Sequence, residues 1–384
     1  MLGANTALVF GFVFTRVFAS PSIPHLDPSL FIFKLGAVLT ILLLLPNLYV
    51  FTGKGLGDIP SAISDQGAAW NEMQTQIATR SPATGAFVLL RAILAPLTLA
   101  AVPLLVFYWR YLSRFWRLVG LMALVSVFAF SFARGTDKET VELGIFFMLG
   151  LLIYLLRRPG GFLVQSFRLT LVGMFLVVIL VAVVTLFAAR KDARLGGIET
   201  YCQSVTKICA DYDHPLLAPL DASTKGAASI AVNYLTQGQY GLSLALAEEF
   251  DSLYGIGHSS VFMAQYSRWS SDSSFLERSY TYKIDARGWP RTSAWSSAYT
   301  WLANDIGFFG IILLMLVWGM LLALAWTDFV YAGNPLAFLV VVLFALTLFY
   351  MPMNLQLTQS LDYYIPTIVW TLFWFITRRK NAVQ

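Results

Sequence analysis

Long apolar runs separated by short polar links dominate the sequence. They lie near 29–52, 86–108, 115–133, 141–156, 169–188, 302–325, 336–352 and 363–377. Each is a near-continuous stretch rich in Leu, Val and Phe and does not alternate as a barrel strand would, so the pattern predicts helices. A helix needs about 20 apolar residues to cross a hydrocarbon core. A shorter run at 5–19 holds Arg16, and counting it brings the expectation to about nine spans. Pro96 and Pro103 fall inside the second long run, where neighbouring helices can satisfy the freed carbonyls. Tyr363 and Tyr364 suit interfacial anchors at one end of the last run.

One long segment, 189–300, breaks this rhythm. It mixes Ser, Tyr and Arg with an apolar helical stretch at 228–250, and short helices packed on a membrane surface are expected. The predicted organisation is therefore an N-terminal transmembrane bundle (1–188), a large loop (189–300) and C-terminal transmembrane helices (301–384). The fold class is all-α, a polytopic helical bundle. Orientation follows from the short loops. Arg110, Arg114 and Arg117, then Arg157, Arg158 and Arg168, then Arg378, Arg379 and Lys380 fall on one side. The positive-inside rule places that side in the cytoplasm, so 53–85, 134–140, 189–300 and 353–362 are expected outside. The N-terminus is outside if 5–19 spans. Cys202 and Cys209 share the outer loop, and a disulfide there and two free thiols are both open readings.

Composition agrees. Of 384 residues, 58% are hydrophobic and 12% charged, against about 25% charged in soluble domains. The net charge of +5 sits largely at helix ends and leaves little surface for a polynucleotide, so no nucleic-acid partner is expected. No P-loop, dinucleotide fingerprint, zinc spacing or nucleophile elbow occurs. No cofactor and no metal are expected.

Candidate chemistry lies at the outer ends of the runs. Arg91 sits about five residues inside its run, roughly 8 Å deep at 1.5 Å per residue. It either snorkels to head groups or lines a cavity. Arg134 emerges at the same outer level in Ala133-Arg134-Gly135, and two guanidiniums there suit a pyrophosphate. Asp137 and Glu139 are alternative partners for them. In the loop, Tyr254-Gly255-Ile256-Gly257-His258 offers a general base in His258, although a lone loop histidine is also an ordinary polar residue. Arg278, Arg287 and Arg291 interleave with Tyr280, Tyr282, Trp289 and Trp295, a mixture fit for lipid head groups or a sugar-phosphate. Asn304 and Asp305 read as caps of the following helix.

The order of these motifs resembles a known family. A span ending in Ala133-Arg134-Gly135 precedes a large loop with YLTQGQYGLSLAL and YGIGHSS, and WLANDIGFFGIILLMLVWG then enters a span. This is similar to the O-antigen polymerase family over about residues 115–326, most specifically over 234–310, with fewer spans than many members. The resemblance implies a helical fold related to the lipid-dependent C type of glycosyltransferase (GT-C-like), with the large loop periplasmic. It implies an enzyme of the bacterial inner membrane, its active site facing the periplasm, that joins undecaprenyl-pyrophosphate-linked repeat units without a metal. Donor and acceptor glycans on that lipid, membrane lipid and a chain-length regulator protein are the implied partners. On this reading His258 or Glu139 takes the acceptor proton, and Arg134 and Arg91, helped by Arg278, Arg287 or Arg291, bind the anion. Tyr240, Trp289 and Trp295 stack on sugars. O-antigen ligase, and a flippase of the same lipid-linked unit, are the alternatives.

Overall fold

The computed structural model describes residues 1–23, 27–79, 82–156, scattered positions between 164 and 181, 202–203, 205–270, 274–291 and 294–378. Among the described residues it is helical, with no strand; Cys202 and Cys209 form an isolated antiparallel bridge. The helices are α1 (Leu2–Phe18), α2 (Ser29–Leu42), α3 (Leu44–Thr52), α4 (Ile59–Ser64), α5 (Gln66–Ala78), α6 (Pro82–Tyr108), α7 (Arg114–Ala133) and α8 (Lys138–Leu156). They continue with α9 (Ala222–Ala245), α10 (Ser260–Trp269), α11 (Ser274–Glu277), α12 (Tyr280–Ala286), α13 (Ala298–Ala332), α14 (Pro335–Tyr350) and α15 (Leu361–Thr377). The expected run at 169–188 falls mostly outside the described residues. So do the start of the large loop at 189–201 and the cations Arg157, Arg158, Arg168, Arg379 and Lys380.

Among the described residues, three helices are long and apolar enough to cross a membrane: Thr84–Tyr108, Arg114–Ala133 and Ala298–Ala332. A fourth span arises if α2 and α3, bent by 45°, act as one. The bend has a local cause, because Pro46 lacks an N–H and its ring crowds the carbonyl of Leu42. Leu2–Phe18 and Pro335–Tyr350 are shorter apolar helices. Large apolar side chains are exposed in stripes: Val9, Phe10, Val13, Phe14 and Val17 on α1, and Phe115, Leu118, Met122 and Val125 on α7. Such stripes are costly in water and ordinary against lipid. The chain is an all-helical membrane protein.

Contacts divide the chain into two units. Unit 1 is Met1–Leu26, Gln203–Lys207 and Val232–Gln384, and unit 2 is Asp27–Cys202 and Ile208–Ala231. The first helix thus joins the last three, not its sequence neighbours. The reason is close backbone packing. A Cβ on Gly11 would fall on the Leu316 carbonyl oxygen, and one on Gly319 would fall on that of Leu8. Two glycines set into each other's backbones let α1 lie parallel to α13, where dispersion replaces the missing hydrophobic drive. At the far end of this pair Asp328 is fully buried. Its carboxylate accepts from Arg378 Nε at 2.8 Å, Trp374 Nε1 at 3.0 Å and the Ser22 backbone N–H at 2.8 Å. This ties the ends of α13 and α15 to the segment after α1. α14 is buried on nearly every face from Pro335 to Thr347, as a central helix must be.

The large loop builds its own core on the first turns of α13. Leu253, Met263, Leu276, Tyr280, Ile284 and Trp289 pack with Ala298, Leu302 and Ala303. Short helices were expected there, and α10, α11 and α12 are short. The expected apolar helix at 228–250 is α9, which starts and ends earlier. Helix α13 begins at Ala298 with Ser297 as N-cap, ahead of the expected run, and breaks at Gly307 (φ 66°, ψ 171°). That conformation is essentially closed to residues with a Cβ. The short opening segment of α13 before the break, which carries Asn304 and Asp305, packs with the core of the loop.

Replacing Gly319 by Leu should force the α1–α13 pair apart at a cost of about 1–3 kcal/mol or more, because backbone cannot give way. Thermal unfolding of the protein in detergent should show a midpoint several degrees lower. An unchanged midpoint would contradict the packing.

Candidate functional site

In unit 1 the centre is Asp305. Its Oδ1 accepts the backbone N–H of Gly255 at 2.9 Å and of Gly257 at 2.8 Å. Its Oδ2 accepts the backbone N–H of His258 at 2.8 Å and faces His258 Nδ1 at 2.8 Å. The loop Tyr254–His258 is therefore wrapped round one carboxylate. Asn304 closes the same turn from beside it: its Nδ2 donates to the Gly257 carbonyl and its Oδ1 accepts from the Tyr280 N–H, both at 2.8 Å. Asn304 and Asp305 are not caps of α13, as the sequence suggested. The helix starts six or seven residues earlier, so their polar groups serve the loop.

A carboxylate cannot donate, so the proton between Asp305 and His258 sits on Nδ1. Nε2 is then the basic nitrogen, and it meets the Tyr364 hydroxyl at 3.0 Å. The His258 side chain keeps 18% exposure while that of Asp305 keeps 8%. The histidine carbonyl accepts from Thr358 Oγ1, and Ser259 Oγ donates to the Thr358 carbonyl, so the loop before α15 holds the site from its other side. A base fixed by a buried acid, with its free nitrogen already facing a hydroxyl, is the arrangement general-base chemistry requires. Sequence reasoning found His258 but missed Asp305 and Tyr364. Asp305 looked like a helix cap and Tyr364 like an interfacial anchor.

Below Tyr364, the next turns of α15 line an apolar cleft of about 250 Å³ with Trp318, Leu321, Phe344, Leu357, Ile368 and Leu372. Its walls come from α13, α14, α15 and the segment before α15.

The other expected residues of unit 1 are placed differently. Arg278 holds Asp251 through two hydrogen bonds, Nε to Oδ2 at 2.7 Å and Nη2 to Oδ1, and its hydrogen bonds hold that carboxyl below the usual range. Arg287 pairs with Glu248, and Arg291 with Asp285 at 3.3 Å while stacking over Tyr282. Each expected anion-binding cation is thus neutralised by an acid nearby. Trp289 is 1% exposed, and its indole N–H donates to the Trp295 carbonyl at 3.2 Å. Its ring packs in the core, with no face left for a sugar. Trp295 is half-buried against Tyr234, with ring centroids 4.8 Å apart. Tyr240 keeps an exposed face and leans on Trp289 at 5.0 Å.

In unit 2 the structure brings together Arg91, Arg134 and Glu139. Both guanidiniums lie over Phe130, Arg134 at 4.4 Å and Arg91 at 5.2 Å from the ring centroid, and Arg91 also covers Phe51 at 4.7 Å. The two arginines share one aromatic ring and are not scattered. Arg134 Nη2 pairs with Glu139 Oε1, and Thr136 Oγ1 bridges to Glu139 Oε2 at 3.1 Å. The side chains of this pair keep only 15% and 13% exposure. The pairing with Glu139, one of the two readings left open by spacing, is the one present. Cys202 and Cys209 are joined by a disulfide. No group of metal-ligating side chains occurs among the described residues.

Comparison with protein-family models, curated proteins and solved structures returns no match to this chain. The functional reading therefore rests on the residues and their geometry.

Arg134→Ala strands the nearly buried Glu139 carboxylate, at a cost of about 3–5 kcal/mol. Arg134→Ala with Glu139→Ala should recover most of the lost thermal midpoint. A double variant no more stable than the single one would show that the pair is not what holds this hinge.

Proposed function

We propose that the chain is a membrane glycosyltransferase that polymerises lipid-linked oligosaccharide units at the outer face of a bacterial inner membrane, on a GT-C-like scaffold. The observation that carries this is the His258 Nε2, aimed at a hydroxyl by a ring fixed on Asp305. The sugar acceptor is an alcohol of high pKa. Its proton moves to Nε2 as its oxygen attacks the anomeric carbon of the donor, the bond from that carbon to the pyrophosphate oxygen breaks, and the lipid pyrophosphate leaves with the electron pair. Asp305 stabilises the imidazolium that forms.

Three further features support the reading. The apolar cleft beneath Tyr364 suits a polyprenyl chain. The Cys202–Cys209 disulfide fits an oxidising compartment for the large loop. Arg91 and Arg134, gathered on Phe130, supply the bidentate cationic chemistry a pyrophosphate takes. Of the catalytic candidates, His258 is the base, because the Glu139 carboxylate is occupied by Arg134 and Thr136.

Purified protein in detergent, given undecaprenyl-pyrophosphate-linked repeat units extracted from the source cells, should produce a ladder of lengthened glycans without a sealed compartment. His258→Ala and Asp305→Asn should each slow ladder formation by about 10²–10⁴-fold. Product only after addition of lipid A–core would identify a ligase, and no product with either acceptor would end the glycosyltransferase reading.

A further inference from the structure

Tyr254 holds a conformation that its residue type disfavours. Its φ is 51°, and Gly255 follows at 89°. Tyrosine rarely enters the left-handed region, and such residues concentrate at functional sites. What the backbone gains by it is display: Tyr254 is 79% exposed, beside a position where a Cβ on Gly255 would meet nothing within 4 Å. The display is tightly held. The Tyr254 N–H donates to Ser252 Oγ at 3.1 Å, Ser252 Oγ donates to the Asp305 carbonyl at 2.7 Å, and the Gly255 N–H lies on Asp305 Oδ1. The residue that orients the His258 base therefore also fixes the turn that presents the Tyr254 ring.

Polar groups of a matching kind adjoin the ring. The Arg278 guanidinium lies 6.0 Å from its centroid and 5.3 Å from that of Phe275. Arg278 and Asp251 form a planar bidentate pair whose side chains stay 34% and 43% exposed. An open aromatic face next to planar donor and acceptor groups has the chemistry that recognises a pyranose. The C–H face of the sugar covers the ring, and vicinal hydroxyls exchange hydrogen bonds with carboxylate and guanidinium. Neither group alone would select a sugar. A bare tyrosine at a membrane surface is often only an anchor, and an exposed ion pair is often only solvated.

We infer that Tyr254, with the Asp251–Arg278 pair, forms a sugar-binding platform that seats a pyranose beside His258. This deepens the glycosyltransferase reading and rests on it for the identity of the sugar as substrate. Tyr254 is a positioning residue here and takes no part in the proton transfer.

The test uses the whole protein in detergent micelles and saturation-transfer NMR. The probes are methyl glycosides of glucose, galactose, mannose, rhamnose and N-acetylglucosamine, with sorbitol as a polyol that has no ring face. At least one glycoside should receive saturation on its ring C–H protons, and sorbitol should not. Tyr254→Phe should keep most of that signal and Tyr254→Ala should lose at least about four-fifths of it. Tyr254→Gly relieves the backbone, so its thermal midpoint should not fall below that of the wild type while the sugar signal is lost. His258→Ala should leave the signal intact. No transfer to any glycoside, or transfer in the Ala and Gly variants equal to that of the wild type, would overturn the inference. A ladder surviving His258→Ala would instead sink the catalytic reading and leave the sugar result standing.

Discussion

One buried carboxylate organises the loop side of unit 1. Asp305 accepts three backbone N–H groups of a single tight loop and one imidazole nitrogen. An anion with little solvent must be satisfied by such donors, and a loop rich in glycine must be held by something outside itself. Each solves the other's problem. The break at Gly307 is part of the same arrangement, since it frees the opening turns of α13 from the span that follows. Non-helical backbone at membrane depth is tolerated where protein surrounds it, and Phe250 packs against Gly307. Displacing this carboxylate would disturb the base, the loop and the helix entry together.

The two ends of the α1–α13 pair obey different rules. At the end nearer the loop, the polar groups around Asp305 and His258 stay partly open. At the far end Arg378, Trp374 and the Ser22 backbone N–H all donate to the Asp328 carboxylate. Between them glycine packing at Gly11 and Gly319 brings the backbones close. A strut with a fixed foot would mount the proposed base well, since catalytic groups need to be held within a fraction of an ångström.

The long apolar helices were legible because hydrocarbon demands a continuous run, and no other element satisfies its own backbone there. The bent α2–α3 pair was less so, as Pro46 sits inside an unbroken apolar run. At the site, His258 stood out in the sequence through its rarity and its Gly-Ile-Gly approach. Asp305 and Tyr364 did not, because a local reading of each is adequate: acids cap helices, and tyrosines mark interfaces. Their partners are 47 and 106 positions away, and no periodicity encodes that pairing. The acid partners of the large-loop arginines were hidden for a similar reason. Cations among aromatics look available until the acids at 248–251 and 285 fold onto them.

The central claim is that Asp305 sets the tautomer of His258 and so leaves Nε2 free to take a proton. The chain has three histidines, which makes ¹⁵N-histidine NMR of the whole protein in detergent directly readable. The resonance lost in His258→Gln identifies the residue. At neutral pH the neutral ring should carry its proton on Nδ1, and Asp305→Asn should abolish that preference. A His258 ring protonated on Nε2 in the wild-type protein, unmoved by the Asp305 substitution, would contradict the account.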